Sequence, residues 1–80
     1  MYYVYLIRSL KNPDFTYIGH TDNFEERLKT HNSGGSVYTK LERPWEMILL
    51  LQFKNKLKAT AFEKYLKSGA GRAFAAKRFW

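Results

Sequence analysis

Residues 2–8 read YYVYLIR and residues 15–20 read FTYIGH, and these two stretches carry the clearest structural signal of the sequence. Both are rich in residues that favour β-strands, and the turn signal Asn12-Pro13-Asp14 lies between them. We therefore predict an antiparallel β-hairpin. Because alternate side chains of a strand point to the same side, this hairpin can bring Tyr5 and Tyr17 onto a common surface.

A helix is predicted directly after the hairpin. Asp22 and Glu25 resemble the start of a capping box, and the stretch from Asn32 to Gly35 is a stop signal, so the helix should cover about residues 23–32. Four residues should form its inward stripe: Phe24, Arg27, Leu28 and His31. Two of the four are polar, which is unusual for a purely structural helix, and this indicates a function for them.

The remaining residues complete a small α/β domain. Residues 45–53 predict a third strand, and its nearly unbroken apolar run favours the centre of the sheet. A second helix is expected over residues 56–68, followed by Gly69-Ala70-Gly71 and a third helix over residues 72–79. The buried side of the second helix should carry Leu57, Ala61, Phe62, Tyr65 and Leu66. We predict one α/β domain over residues 1–80, with a three-stranded, mainly antiparallel sheet flanked by about three helices.

Composition narrows the functional class. The 80 residues include 14 Lys and Arg against seven Asp and Glu, a formal charge of +7, so an anionic partner such as nucleic acid is expected. There is no Cys, which removes disulfides and thiolate zinc sites and fits the reducing cytoplasm. The longest apolar run is far too short for a membrane span, and no targeting leader is visible. We expect a cytoplasmic protein with no membrane partner.

Three side chains suit phosphodiester chemistry. Glu63 is the only acid after Glu46 and can hold a divalent ion, although an ion pair with Lys67 one turn along the helix is the simpler alternative. Arg27 can donate two parallel hydrogen bonds to a phosphate, or can pair with a neighbouring acid. His31 can relay a proton, or can simply lie at a helix end where the dipole favours it.

The motif Tyr3-Val4-Tyr5, the motif Tyr17-Ile18-Gly19, Arg27 and Glu63 together resemble the GIY-YIG nuclease family over nearly the whole chain. The likeness extends to its small stand-alone members and to the N-terminal catalytic domain of the excision-repair nuclease. The resemblance implies hydrolysis of DNA by an activated water, with one Mg²⁺ or Mn²⁺ held by Glu63. It also implies that Tyr5 deprotonates the water while Tyr17 orients water or phosphate.

The match to the family pattern is incomplete. Tyr3 and Val4 stand where the family name has Gly and Ile, and the Asn that often follows the metal-binding Glu is missing. Lys67 or Arg72 can take over the positioning of phosphate. A free Tyr with a pKa near 10 is a poor base at neutral pH, so the role of Tyr5 requires a lower pKa. We expect the positive charges around Tyr5 to lower it.

Contacts to nucleic acid are expected outside the catalytic residues. The candidates are Gly19, Lys40, Lys67 and Arg72. Gly19 lies on a strand, which predicts a close approach of its backbone to substrate or to the first helix. The segment from Lys67 to Arg72 resembles a phosphate-binding nest at a helix start, although a plain helix–helix turn uses glycines in the same way.

The sequence thus favours a metal-dependent DNA endonuclease that recognises structure rather than base sequence, such as branched or flapped DNA. No obligate protein partner is evident. An alternative from another class is a nucleic-acid-binding module of the same fold that cuts weakly or not at all. A third hypothesis is a basic RNA-associated protein without a catalytic site.

Overall fold

A computed structural model describes all 80 residues, with three strands and three α-helices. The strands are β1 (Tyr2–Ser9), β2 (Thr16–Thr21) and β3 (Trp45–Phe53). The helices are α1 (Phe24–Ser33), α2 (Lys56–Lys67) and α3 (Gly69–Arg78), and a short 3-10 helix, Lys40–Glu42, precedes β3. Both strand pairings are antiparallel, so the predicted fold class is confirmed. None of the helices is both long and apolar enough to span a bilayer.

The central strand of the sheet is β1, because the strand order is β2-β1-β3. The prediction that the third strand is central was therefore wrong. Helix α1 contacts one face of β3 and α2 contacts the other, so an edge strand here needs apolar side chains on both faces. An unbroken apolar run indicates that both faces of a strand are covered. It does not indicate whether the strand has one or two hydrogen-bonded neighbours in the sheet.

Alternate residues of β1 enter two separate apolar clusters. Val4 and Leu6 pack against buried residues of α2 and α3, whereas Tyr5 and Ile7 pack with Trp45. Leu28 of α1 lies against this second cluster. Helix α1 therefore covers one face of the sheet, and α2 with α3 covers the other. The predicted hairpin is confirmed, with Tyr5 opposite Gly19 in the β1–β2 register.

Helix α1 begins one residue later than predicted. Asn23, not Asp22, is the N-cap, and its side-chain oxygen accepts a hydrogen bond from the Glu26 N–H at 3.1 Å. The side-chain amide of Asn23 also donates to the Glu26 carboxylate at 3.2 Å. The Asn23 backbone N–H donates to Thr21 Oγ1 instead of to Glu26, so the helix start is a side-chain N-cap and not the predicted capping box. At the other end Gly34 has a φ of 84°, the left-handed conformation that ends helices and favours glycine.

Helix α2 is rotated relative to the prediction. Its buried residues are Ala59, Glu63 and Leu66, while Leu57 and Tyr65 are 78% and 42% exposed. Ala61 is also exposed, and Phe62 is half-buried. The helix packs against both the sheet and α3, and the small side chain of Ala59 lets it approach closely. One consequence is that the carboxylate of Glu63 points towards the protein interior.

The glycine-containing segment after α2 begins α3. Ser68 is the N-cap of α3, and its hydroxyl accepts a hydrogen bond from the Gly71 N–H at 3.2 Å. A Cβ atom on Gly71 would overlap the carbonyl group of Tyr65, so glycine allows the two helices to pack tightly. The prediction that this segment separates the helices was wrong, and the helix–helix turn describes it better than a phosphate nest.

Candidate active site

A chain of hydrogen bonds runs through the interior between β1, α1 and the loop before β3. Tyr5 Oη lies 3.0 Å from His31 Nε2, and His31 Nδ1 lies 2.6 Å from Thr39 Oγ1. His31 is fully buried, and Thr39 and Tyr5 are at most 2% exposed. The Thr39 carbonyl accepts a hydrogen bond from the Trp45 indole at 2.9 Å, which anchors the loop. Both ring nitrogens of His31 are therefore engaged, and its orientation is fixed.

Burial changes the pKa values of the residues in this chain of hydrogen bonds. Burial lowers the pKa of His31, and the positive charge of Arg27 lowers it further, so the imidazole stays neutral near neutral pH. Burial also raises the pKa of Tyr5, and this effect outweighs the hydrogen bond from Arg27 that lowers it. The expectation that cations lower the pKa of Tyr5 was wrong. Its hydroxyl is protonated at neutral pH and must give up its proton to accept another.

Gly19 leaves room for the hydroxyl of Tyr5. The two residues face each other across the β1–β2 pairing, and a Cβ atom on Gly19 would lie 2.6 Å from Tyr5 Cζ and closer still to Oη. The close approach predicted from a glycine on a strand thus involves the Tyr5 ring. This observation gives Gly19 a role in placing Tyr5, whereas its predicted contact with nucleic acid stays a prediction.

Replacement of Gly19 should displace the Tyr5 ring. We expect Gly19→Ala to shift the NMR signals of the Tyr5 and His31 rings and to lower the free energy of unfolding by about 1–3 kcal/mol, the usual cost of overpacking. Gly69→Ala is the matched control, because a Cβ atom there would have no neighbour within 4 Å. NMR spectra and melting temperatures of both variants check this. Equal effects of the two substitutions would contradict it.

Arg27 lies at the surface beside the buried chain. Its Nε is 3.4 Å from Tyr5 Oη, and this hydrogen bond raises the pKa of the guanidinium above its usual value. It forms no ion pair, since the two ion pairs of the structure both belong to Glu63. The alternative of pairing with Asp22 or Glu26 is therefore not observed. Arg27 is a cation without a carboxylate partner, held next to Tyr5.

Tyr17 packs over the same group of rings. Its ring centroid lies 6.2 Å from that of Tyr5 and 5.1 Å from that of His31. The Lys67 ammonium lies 5.7 Å from the Tyr17 centroid, on the side where α2 approaches β2. Tyr17 thus joins the residues of the α1 face to those of α2.

Glu63 lies across the edge strand β2 from Tyr5. Its Oε2 is 2.9 Å from Lys67 Nζ, and its Oε1 is 3.4 Å from His20 Nδ1. The carboxylate is largely buried, at 11% side-chain exposure. Burial raises its pKa, but the hydrogen bonds and charges of Lys67 and His20 outweigh burial, so the pKa of Glu63 is lowered. The ion pair suggested by the sequence does form, on an inward-facing carboxylate.

The donors around Glu63 suit a sparsely held divalent ion. No group of three or more acidic or His side chains could hold a metal ion here. Mg²⁺ keeps several waters and commonly takes only one or two carboxylates together with substrate phosphate. A single ionised, inward-facing carboxylate meets that requirement. Lys67 and a cation would compete for this carboxylate, because Lys67 occupies Oε2.

Residues 1–75 match the family described as the GIY-YIG catalytic domain. The chain belongs to the GIY-YIG family. Family membership confirms the resemblance found in the sequence motifs.

Similar proteins fall into two groups. The chain is 45% identical over 73 residues to the structure-specific endonuclease subunit SLX1 of Debaryomyces hansenii, covering 82% of this chain and 21% of that protein. It is 44% identical over 52 residues to UPF0213 protein YazA of Bacillus subtilis, covering 64% and 52%. It is 37% identical over 68 residues to UPF0213 protein CPE1444 of Clostridium perfringens, covering 84% and 71%. The chain spans only 15% to 26% of the length of four fungal relatives.

The remaining predicted contacts of this GIY-YIG domain lie at different distances from the site. Lys67 pairs with Glu63, and the Nε of Arg72 donates a hydrogen bond to the Lys67 carbonyl at 3.1 Å. Lys40 is exposed and follows Thr39 in the chain. Their binding to nucleic acid stays a prediction.

Two residues of the site were missed by sequence reasoning. Thr39 lies in an irregular loop, and nothing local signals that its hydroxyl reaches His31. His20 alternates with Gly19 on β2, so strand periodicity places it on the opposite face from Tyr5, towards α2. The rotation of α2 that brings Glu63 to His20 could not be read from the helical pattern.

Proposed function

We propose that this GIY-YIG domain is a divalent-metal-dependent DNA endonuclease that hydrolyses phosphodiester bonds by an activated water. The observation that carries the proposal is the buried chain Tyr5–His31–Thr39, which ends beside the unpaired guanidinium of Arg27. A buried proton chain next to a free cation is suited to move a proton near a bound phosphate. Glu63, on the other side of Tyr17, supplies the carboxylate.

In this proposal the proton moves through Tyr5 in one step. The mechanism requires the His31 tautomer in which Nδ1–H donates to Thr39 Oγ1, since this leaves Nε2 as the acceptor for the Tyr5 hydroxyl. Tyr5 passes its proton to His31 as its oxygen takes one from the attacking water, so a separate phenolate with its raised pKa is never needed. The phosphate that Arg27 binds offsets the repulsion between Arg27 and the newly charged imidazolium.

Glu63 is the residue that would hold Mg²⁺ or Mn²⁺, as one ion. The metal would supply positive charge to the phosphoryl oxygens and to the leaving alkoxide. His20 and Lys67 keep the Glu63 carboxylate ionised and fix its orientation. Tyr17 orients water or phosphate between the two halves of the site.

Arg27 should depend on its geometry as well as its charge. Arg27→Lys keeps one positive charge but loses the planar fork and the Nε hydrogen bond to Tyr5. We expect cleavage to fall by about 10²-fold or more, the range seen when one preorganised donor is removed. Lys29→Arg on the same helix is the control. Cleavage assays at saturating DNA check this, and wild-type rates for Arg27→Lys would exclude a bidentate contact with phosphate.

The pH dependence should report the neutral form of His31. In the free protein its pKa is lowered from 6.5 by burial and by Arg27, so the acid limb of kcat/KM, which reports the free enzyme, should have its midpoint below 6.5. Because the folded-state pKa lies below the unfolded value, His31 contributes stability that is present above 6.5 and lost as pH falls through the folded pKa. Rate profiles and an NMR titration of the His31 ring measure this. A midpoint above 6.5 would contradict the relay.

The proposed substrate is branched or flapped DNA, read through its backbone and shape. The name of the SLX1 relatives describes them as structure-specific endonuclease subunits, which supports this choice. The net charge of +7 supports contacts to phosphates, and affinity should fall steeply as salt rises. We further propose that the domain acts in the cytoplasm and in DNA repair. No protein partner is required in this proposal.

One experiment tests the proposed function. The purified protein is incubated with supercoiled plasmid, with an intact duplex and with a flapped duplex, each with Mg²⁺, with Mn²⁺ or with a chelator. We expect cutting of the flap near its junction, and only with metal. Salt-sensitive binding to all three DNAs without cutting in any metal would favour the alternative, a binding module that has the fold but not the activity.

A further inference from the structure

A cavity of about 460 Å³ opens beside the candidate active site, along the outer edge of β2. Its lining includes two aromatic rings, two aliphatic side chains and two cations: Tyr17, Trp80, Ile18, Leu66, Lys67 and Arg72. No acidic side chain lines it. Its volume lies within the range of sites for small organic molecules. The lining therefore suits a flat, largely apolar group that carries negative charge at its margin.

The indole of Trp80 is held in place by Arg8. Arg8 Nη2 donates a hydrogen bond to the Trp80 carbonyl at 3.1 Å, and the Arg8 guanidinium carbon lies 5.5 Å from the indole centroid. The indole N–H of Trp80 makes no hydrogen bond within the protein, unlike that of Trp45, which donates to the Thr39 carbonyl. Trp80 thus offers a fixed aromatic surface with a free donor.

The cavity is continuous with the site of the proposed reaction through two residues. Tyr17 lines the cavity and also packs on the rings of Tyr5 and His31. Lys67 lines the cavity and also binds Glu63. A group bound in the cavity would therefore lie next to whatever phosphate the site holds.

We infer that this cavity takes an unpaired nucleobase adjacent to the phosphate that is cut. The inference rests on the proposed function. Bases stack on aromatic side chains without regard to sequence, and Lys67 and Arg72 are placed to contact the flanking phosphates. A base inside a duplex enters such a cavity only after unstacking, which costs a few kcal/mol, whereas a flap or junction presents it already free. The cavity thereby gives a physical reason for selecting branched DNA.

The two tryptophans allow a test that does not depend on cutting. The protein is titrated with a short oligothymidylate in the presence of a chelator while the two indole N–H signals are followed by NMR. We expect the Trp80 signal to shift and the Trp45 signal to stay, because Trp45 is 5% exposed and internally hydrogen-bonded. An abasic strand with the same phosphates should leave the Trp80 signal nearly unmoved and bind about 5- to 150-fold more weakly, the range for loss of a base–aromatic stack.

Variants separate stacking from a general loss of binding. Trp80→Ala and Trp80→Leu should each remove the affinity difference between the thymidylate and the abasic strand. Tyr38→Ala should keep that difference, because Tyr38 is an aromatic residue with 88% exposure that does not line the cavity. Equal shifts of the Trp80 signal by both strands, or no shift when binding is saturated, would overturn the inference. A protein that discriminates the strands but never cuts would refute the proposed function and leave only the base-binding role of the cavity standing.

Discussion

Glu63→Gln should abolish metal-dependent cleavage, by at least about 10³-fold, while the fold and the affinity for DNA stay nearly unchanged. The substitution keeps the shape of the side chain and removes the only charge in the site that can attract a divalent cation. Cleavage rates with Mg²⁺ and Mn²⁺ measure the loss. Glu46→Gln removes the same charge from an exposed position on β3 and is the matched control.

A second readout shows whether Glu63 binds the metal or only holds Lys67. Mn²⁺ broadens the NMR signals of nearby nuclei, so signals around His20 and Glu63 should broaden in the wild type and not in Glu63→Gln. Lys67→Gln breaks the ion pair but keeps the carboxylate, so it should still show the broadening and still cut with metal, at a reduced rate because Lys67 no longer orients Glu63. If the two variants behave alike, the ion pair is the whole role of Glu63 and the metal assignment is wrong.

The sequence predicts one half of this site better than the other. Tyr5 and Tyr17 could be placed on one surface because strand periodicity and a short turn leave few alternatives. Arg27 and His31 follow from the helical repeat of α1, whose limits are set by local signals at Asn23 and Gly34. In each case the information lies within a few residues of the side chain concerned.

The other half depends on packing between distant elements. The face that α2 buries is decided by its contacts with both α3 and the sheet. The apolar pattern alone placed Leu57 and Tyr65 inside and Glu63 only at the edge of the buried stripe. Thr39 reaches His31 only through the path of a loop. The direction of the Tyr5 pKa shift also depends on packing. The sequence shows which cations are nearby, but it does not show the burial that raises the pKa and outweighs them.

Tyr5→Phe should lower the cleavage rate by about 10²- to 10⁴-fold, the usual contribution of general acid–base catalysis. The variant loses one hydroxyl, and with it the only path by which a proton can pass from water to His31 in the proposed mechanism. The melting temperature should fall only modestly, because a single buried acceptor on His31 is left without its partner. Tyr17→Phe should cost less, and Tyr38→Phe, at an exposed position, should cost nothing.

A slow single variant does not by itself demonstrate a proton relay. A relay also predicts that substitutions of its members have non-additive effects on the cleavage rate, because the residues act as one unit. If Tyr5 acts by handing its proton to His31, His31→Ala should slow cleavage to a similar extent, and the double variant should be little slower than either single one. Independent roles would instead multiply the two losses. Rates at saturating DNA, measured on samples shown to be folded by their NMR spectra, distinguish the two outcomes. A multiplicative loss would leave Tyr5 as an orienting group and require a different acceptor for the proton of water.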